Sequence, residues 1–159
     1  MRKWISMSAR TALAIALASG LCPQRGFSFD GADQEKATHA SDSLFKRLGG
    51  KNAIVAVVDE FVARVAADQR INKFFAHTDL KKLKMHLVNQ ICEASGGPCK
   101  YTGRSMKETH MGMGVGSADF NALVEDLVAA LDKFKVGARE KKELLSVLGR
   151  MKSDIVEKP

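Results

Sequence analysis

The stretch Gly49 to Asp68, GGKNAIVAVVDEFVARVAAD, decides the fold class. Its large apolar residues Ile54, Val57, Val58, Phe61, Val62 and Val65 recur at three- and four-residue intervals, which puts them on one face of a helix beginning after Gly49-Gly50. Working outward, a short turn of helix runs from about Ile71 to Phe75 and ends in the pair Phe74-Phe75. Leu80, Leu83, Leu87, Val88 and Ile91 form a second stripe, stopped by Ser95-Gly96-Gly97-Pro98. Residues 99–117 differ, because Gly103, Gly112, Gly114 and Gly116 leave room for little more than one short helix near Ser105–His110. Ser117 reads as the N-cap of a long helix bearing Phe120, Leu123, Val124, Leu127 and Leu131. After Gly137 a last helix carries Leu144, Leu145, Val147, Leu148, Met151 and Ile155. No segment of comparable length alternates with period two, so the expected fold is all-α.

Upstream of this body the chain changes character. The formal net charge is +7, which in a small protein first suggests a polyanion partner. Residues 1–28, however, hold Arg2, Lys3, Arg10 and Arg25 and no acid, leaving the rest of the chain at 21 bases against 18 acids, or +3. The basic start is followed by an apolar run from Thr11 to Cys22 that has the length and order of a secretory signal and is too short to span a bilayer. Cleavage is expected near Ser28, giving a signal peptide over 1–28, a polar linker over 29–42 and a folded domain over 43–159. His39 falls in the linker and reads as a solvated bystander. The expected location is exported and periplasmic.

Export would carry Cys92 and Cys99 into an oxidising compartment. The turn Gly96-Gly97-Pro98 between them permits a disulfide, and two unrelated buried thiols are the equal alternative. No CxxC or CxxCH occurs, which excludes covalent c-type haem attachment. No GxSxG, P-loop or HExxH occurs either. The acids Asp59-Glu60, Glu125-Asp126, Glu140 and Glu143 follow the polar sides of helices and read as solvated faces. No basic cluster with interleaved aromatics marks the mature part, which disfavours nucleic acid. It also lacks a run of about 18 apolar residues, so no membrane span is expected there.

Two of the four histidines carry chemical interest. His77 reads as exposed. His86 lies about 60° from Leu83 around the helix, on the side away from Leu87, and so borders the apolar face. His110 ends the short helix SMKETH and precedes MGMGVG. By spacing alone each reads first as a satisfied or surface histidine.

Taken in order, Gly49-Gly50, Phe74-Phe75, Gly96-Gly97-Pro98, Tyr101-Thr102-Gly103, and Met106-Lys107 followed by His110 resemble the group 1 truncated hemoglobins over about Ser43 to Val156. The resemblance implies a two-over-two globin sandwich around haem b (iron protoporphyrin IX). It assigns His110 as the proximal iron ligand and Phe75 as the ring stacked on the porphyrin. The residue reading agrees: a large apolar disc needs apolar helix faces and one imidazole aimed at iron. Glycines around His110 allow close backbone approach. Leu83, Leu87, Met106, Met113 and Val115 are the expected cofactor contacts, with Met111 a further soft neighbour.

The chain also departs from the family pattern. Oxygen-handling members commonly carry a tyrosine after the phenylalanine matching Phe61, where this chain has Val62, and often a glutamine at the position of Leu87. Neither residue can donate the hydrogen bond, worth about 1 kcal/mol, that retains bound dioxygen. Tyrosine-assisted retention, and NO dioxygenation that depends on it, therefore lack their donor. Weak peroxidase action is another chemistry the resemblance leaves open. His86 matches a position where cyanobacterial and algal members carry a second axial ligand, so His86 and His110 are the expected metal ligands. Gln90 reads as a residue of the exposed face, with reach to the distal side as the other reading. Lys81, Lys82 and Lys84 read as a solvated edge near haem propionates. The expected function is reversible binding of a diatomic gas (oxygen, NO or CO), with an unidentified reductase or redox partner. The competing function is an exported bis-histidyl electron carrier.

Overall fold

The computed structural model describes residues 42–158, so the expected signal peptide and all of the linker but Asp42 lie outside the described residues. The chain runs α1 (Leu44–Arg47), α2 (Gly50–Ala67), a 3₁₀ turn (Asn72–Phe75), α3 (Leu80–Ala94), α4 (Met106–His110), α5 (Ser117–Lys133), α6 (Ala138–Gly149) and α7 (Lys152–Ile155). There is no strand among the described residues; one isolated parallel bridge joins Gly116 to Lys158. None of these helices is long and apolar enough to cross a membrane.

Helix α2 is the centre of the fold because its apolar stripe is wide enough to face two partners. It packs on α3 along one side and on α5 along the other, and α5 in turn meets α6. The result is one helix pair, α2 and α3, laid against another, α5 and α6. All six stripe residues of α2 are buried, in one core with Ile71, Val88, Ile91, Leu127, Leu131 and Leu144. Burying side chains of this size contributes about 1.5–3 kcal/mol each.

Charged groups brace the ends. The Arg47 side chain is only 9% exposed, and its Nε donates to Glu140 Oε1 at 3.1 Å while a second guanidinium nitrogen meets Glu143. This ties α1 to α6; Glu140 is drawn out of the solvated face expected of it, while Glu143 stays exposed as expected. Lys84 is likewise held, with its Nζ 2.8 Å from Asp59 on α2.

Two boundaries differ from expectation. Gly116, not Ser117, caps α5: the Gly116 N–H donates to Asp119 Oδ2 at 2.9 Å. The Ser117 N–H is taken by the Lys158 carbonyl at 3.1 Å, which draws the serine inside the helix. The last helix is broken in two at Arg150-Met151, after Gly149, where helix propensity is lowest. The break turns α7 onto α4.

Asp126 is a second acid that departs from a solvated face. Its Oδ2 is buried without a partner among the described residues, and desolvation, with a smaller push from the Asp68 charge, raises its carboxyl above the usual carboxylate value. A raised folded value penalises the ionised form, so the penalty is absent in strong acid and complete at neutral pH. Asp126→Asn is expected to raise Tm at pH 7, with the gain shrinking as pH falls through the carboxylate range. Thermal unfolding followed by circular dichroism at pH 7 and pH 3 checks this; a lower Tm at pH 7 would contradict it.

Candidate functional site

The two helix pairs do not close on each other completely. Between them lies a cavity of about 820 Å³. Its walls are Phe61, Val62 and Val65 of α2, Phe74 and Phe75 of the 3₁₀ turn, Leu83, Leu87 and Ile91 of α3, Phe120, Leu123 and Leu127 of α5, and Leu145 and Leu148 of α6. Every residue expected to contact a cofactor or metal lines this one space: Phe75, Leu83, His86, Leu87, Met106, His110, Met113 and Val115. Met111 does not; it is 74% exposed. Exposed polar residues also line it: Thr78, Lys82, Thr102 and Arg104.

His110 is held by a helix of only five residues, too short to persist by propensity. A capping box starts it: Ser105 Oγ accepts from the Glu108 N–H at 3.2 Å, and the Ser105 N–H donates to Glu108 Oε2 at 3.1 Å. At the other end His110 Nδ1 lies 2.7 Å from the Met106 carbonyl, which can only accept, so Nδ1 carries the proton. That tautomer leaves the Nε2 lone pair free to ligate, the arrangement found in metal-binding imidazoles.

His86 is placed differently. It is half-buried on α3, and its Nδ1 is buried with no hydrogen-bond partner. Its ring meets the edge of Tyr101, with centroids 5.9 Å apart and planes at 69°. Tyr101 does not stand in for the missing distal tyrosine, because its hydroxyl donates to the Arg104 carbonyl at 2.8 Å. Gln90 turns inward instead of facing solvent: it lines the cavity, with Nε2 3.3 Å from the sulfurs of both Met106 and Met151.

The loop between the two histidines is stapled to α3. Cys92 and Cys99 form a disulfide, the open question of the sequence, and Cys92 is fully buried. The Gly97 N–H donates to the Cys92 carbonyl at 2.7 Å, and a Cβ at Gly97 would come within 2.7 Å of the Cys92 sulfur. Only glycine lets the turn close that tightly. Two residues beyond the bridge, the Tyr101 N–H donates to Glu93 Oε2 at 3.0 Å, and this bond does most to hold the Glu93 carboxyl below its ordinary value.

The large apolar cavity, an imidazole with a free Nε2, a buried unpartnered nitrogen on a second imidazole, and exposed cations in the lining for carboxylates together fit a haem. Comparison with known proteins agrees. The family model described as bacterial-like globin matches residues 43–157. A group 1 truncated hemoglobin of Tetrahymena pyriformis is 32% identical over 116 residues, 73% of this chain and 96% of that protein. One from Synechocystis is 37% identical over 111 residues, 67% of this chain and 90% of the relative. The chain therefore belongs to the bacterial-like globin family, as a group 1 truncated hemoglobin. Among solved structures, the Fe(III) form of the Tetrahymena pyriformis protein superposes with a TM-score of 0.70 at 31% identity, over 72% of this chain and 98% of that one. The 2/2 hemoglobin of Synechococcus, solved in the cyanomet state with covalently attached heme, gives 0.69 at 32%, over 74% of this chain and all of that one.

The disulfide closes a loop short enough for its contribution to be estimated at about 2.5 kcal/mol from chain entropy alone. The double variant Cys92→Ala/Cys99→Ala is expected to lose stability of that order in urea denaturation. An unchanged midpoint would show that the bridge constrains nothing.

Proposed function

We propose that this globin binds haem b in the cavity, with His110 as proximal ligand and His86 as the group that governs the distal side, and that it reversibly binds a diatomic gas. The single observation that carries the reading is the 2.7 Å contact from His110 Nδ1 to the Met106 carbonyl within a large apolar cavity. Bound haem supplies an iron centre able to take oxygen, NO or CO and to exchange one electron.

The chain's residues divide the remaining work. Met106 fixes the His110 tautomer, and Phe75, Leu83, Leu87, Met113 and Val115 line the space that would hold the cofactor and would keep water from it. Lys82 and Arg104 are the exposed cations of the lining that would pair with its carboxylates. On the distal wall Val62, Leu83 and Leu87 offer no donor. His86 does, and its buried Nδ1, without a partner among the described residues, supports a role for this ring toward iron or a bound ligand. Of these two destinations we favour iron, so that His86 and His110 together would hold the cofactor.

That coordination also supports a second reading, an exported electron carrier, since six-coordination limits rearrangement between oxidation states. Export itself is supported by the Cys92–Cys99 bridge, because disulfides persist in oxidising compartments. Mass spectrometry of the secreted chain is expected to find an N-terminus near Phe29; an intact Met1 in the cytosolic fraction would refute export.

Absorption spectroscopy tests the site. The ferric protein is expected to be low-spin, His86→Ala high-spin, and His110→Ala devoid of a stable Soret band until imidazole is added. A high-spin ferric spectrum shared by the wild type and His86→Ala would remove His86 from the iron. Ferrous protein is expected to bind CO completely; failure to do so would leave electron transfer as the function.

A further inference from the structure

The segment after His110 has little to hold it in place by itself. Met111 is 74% exposed, Met113 is about one-third exposed, and Gly112 and Gly114 both sit at positive φ, 81° and 69°. Backbone of this kind is ordinarily loose. Here it is fastened from the far end of the sequence.

The chain after α7 runs back along the loop. The Glu157 and Lys158 N–H groups both donate to the Val115 carbonyl, at 2.9 and 3.2 Å, and the Ser117 N–H donates to the Lys158 carbonyl at 3.1 Å. The Glu157 carboxylate then completes the contact. Oε1 accepts the Gly112 N–H at 2.6 Å and Oε2 accepts the Gly114 N–H at 2.6 Å. Two alternate N–H groups converging on one anion form a backbone nest, and the anion that fills it belongs to the chain itself. A Cβ at Gly112 would meet nothing within 4 Å, so the glycine serves this conformation and not a steric need. Packing of α7 against α4 brings the carboxylate to this spot.

We propose that Glu157 is the positioning residue of the proximal side: its carboxylate locks the Met111–Val115 segment and so fixes how His110 is presented to haem. The assignment rests on the reading of His110 as the iron ligand. Among the described residues the side-chain hydrogen bonds of Glu157 go to the Gly112 and Gly114 N–H groups, so it acts on His110 through the backbone that follows the imidazole. Residues that orient a metal ligand from one contact away typically change metal affinity by about 10–100-fold when removed.

The test uses the haem-loaded full chain. In Glu157→Ala, haem transfer to an excess of apomyoglobin is expected to speed up roughly tenfold. The iron–histidine stretching band of the ferrous protein, recorded by resonance Raman with His86→Ala in the background to empty the sixth position, is expected to shift and broaden. Glu157→Gln keeps the shape and one good acceptor, and is expected to fall between wild type and Glu157→Ala on both readouts. Far-UV circular dichroism confirms that the variants keep their helices. A haem-loss rate and a stretching band unchanged in Glu157→Ala would overturn the assignment. A wild-type chain that takes up no haem would overturn the reading of the cavity, and this inference with it. The two failures are therefore distinct.

Discussion

The constraint on which the rest of this structure depends is a cavity of about 820 Å³ walled by apolar side chains. Apolar side chains from several helices face one common space instead of one another, which is how a fold is arranged around an apolar ligand. Helix α2 serves both parts: Phe61, Val62 and Val65 belong both to the buried core and to the cavity wall. The solid half of the molecule, from Ile54 and Val58 across to Leu131 and Leu144, keeps the open half from collapsing. Around it, the Arg47 pairs with α6, the Cys92–Cys99 bridge and the strand-like return of Lys158 onto Gly116 brace three different edges. Such a space suits the large apolar disc that globins bind.

The two imidazoles are held by opposite logics. His110 has its tautomer set by a backbone carbonyl and its following segment tied down by a carboxylate, so it offers one fixed nitrogen. His86 has a buried nitrogen with no partner among the described residues and the edge of Tyr101 beside it. One ring is fixed by a hydrogen bond and the other is not. Tyr101 shows how context decides a residue's role: its hydroxyl is committed to the Arg104 carbonyl, so it is the ring that meets His86.

Much of the fold was legible from spacing. The stripe of Ile54 to Val65 identified α2 because helical burial demands the same period whatever covers the face. All of the expected cofactor contacts meet in one cavity for a similar reason: helix faces and glycine breaks leave few ways to enclose a disc. The misreadings have a common cause. Glu140 and Asp126 sit on polar sides of their helices, yet Arg47 from another element covers the first and packing buries one carboxylate oxygen of the second. Gln90 was assigned outward by its own helix, whereas Met106 and Met151 on other elements draw it in.

What the sequence by itself determined is the helical class and most of the breaks between helices. These depend on local periodicity and residue type, which act over a few turns of chain. Only the tertiary structure decided that Cys92 and Cys99 are bonded, that His86 has an orphaned nitrogen, and that Glu157 reaches the glycines after His110. The last of these joins residues more than forty positions apart. No local pattern encodes it, because a carboxylate finds its nest only after α7 has packed on α4.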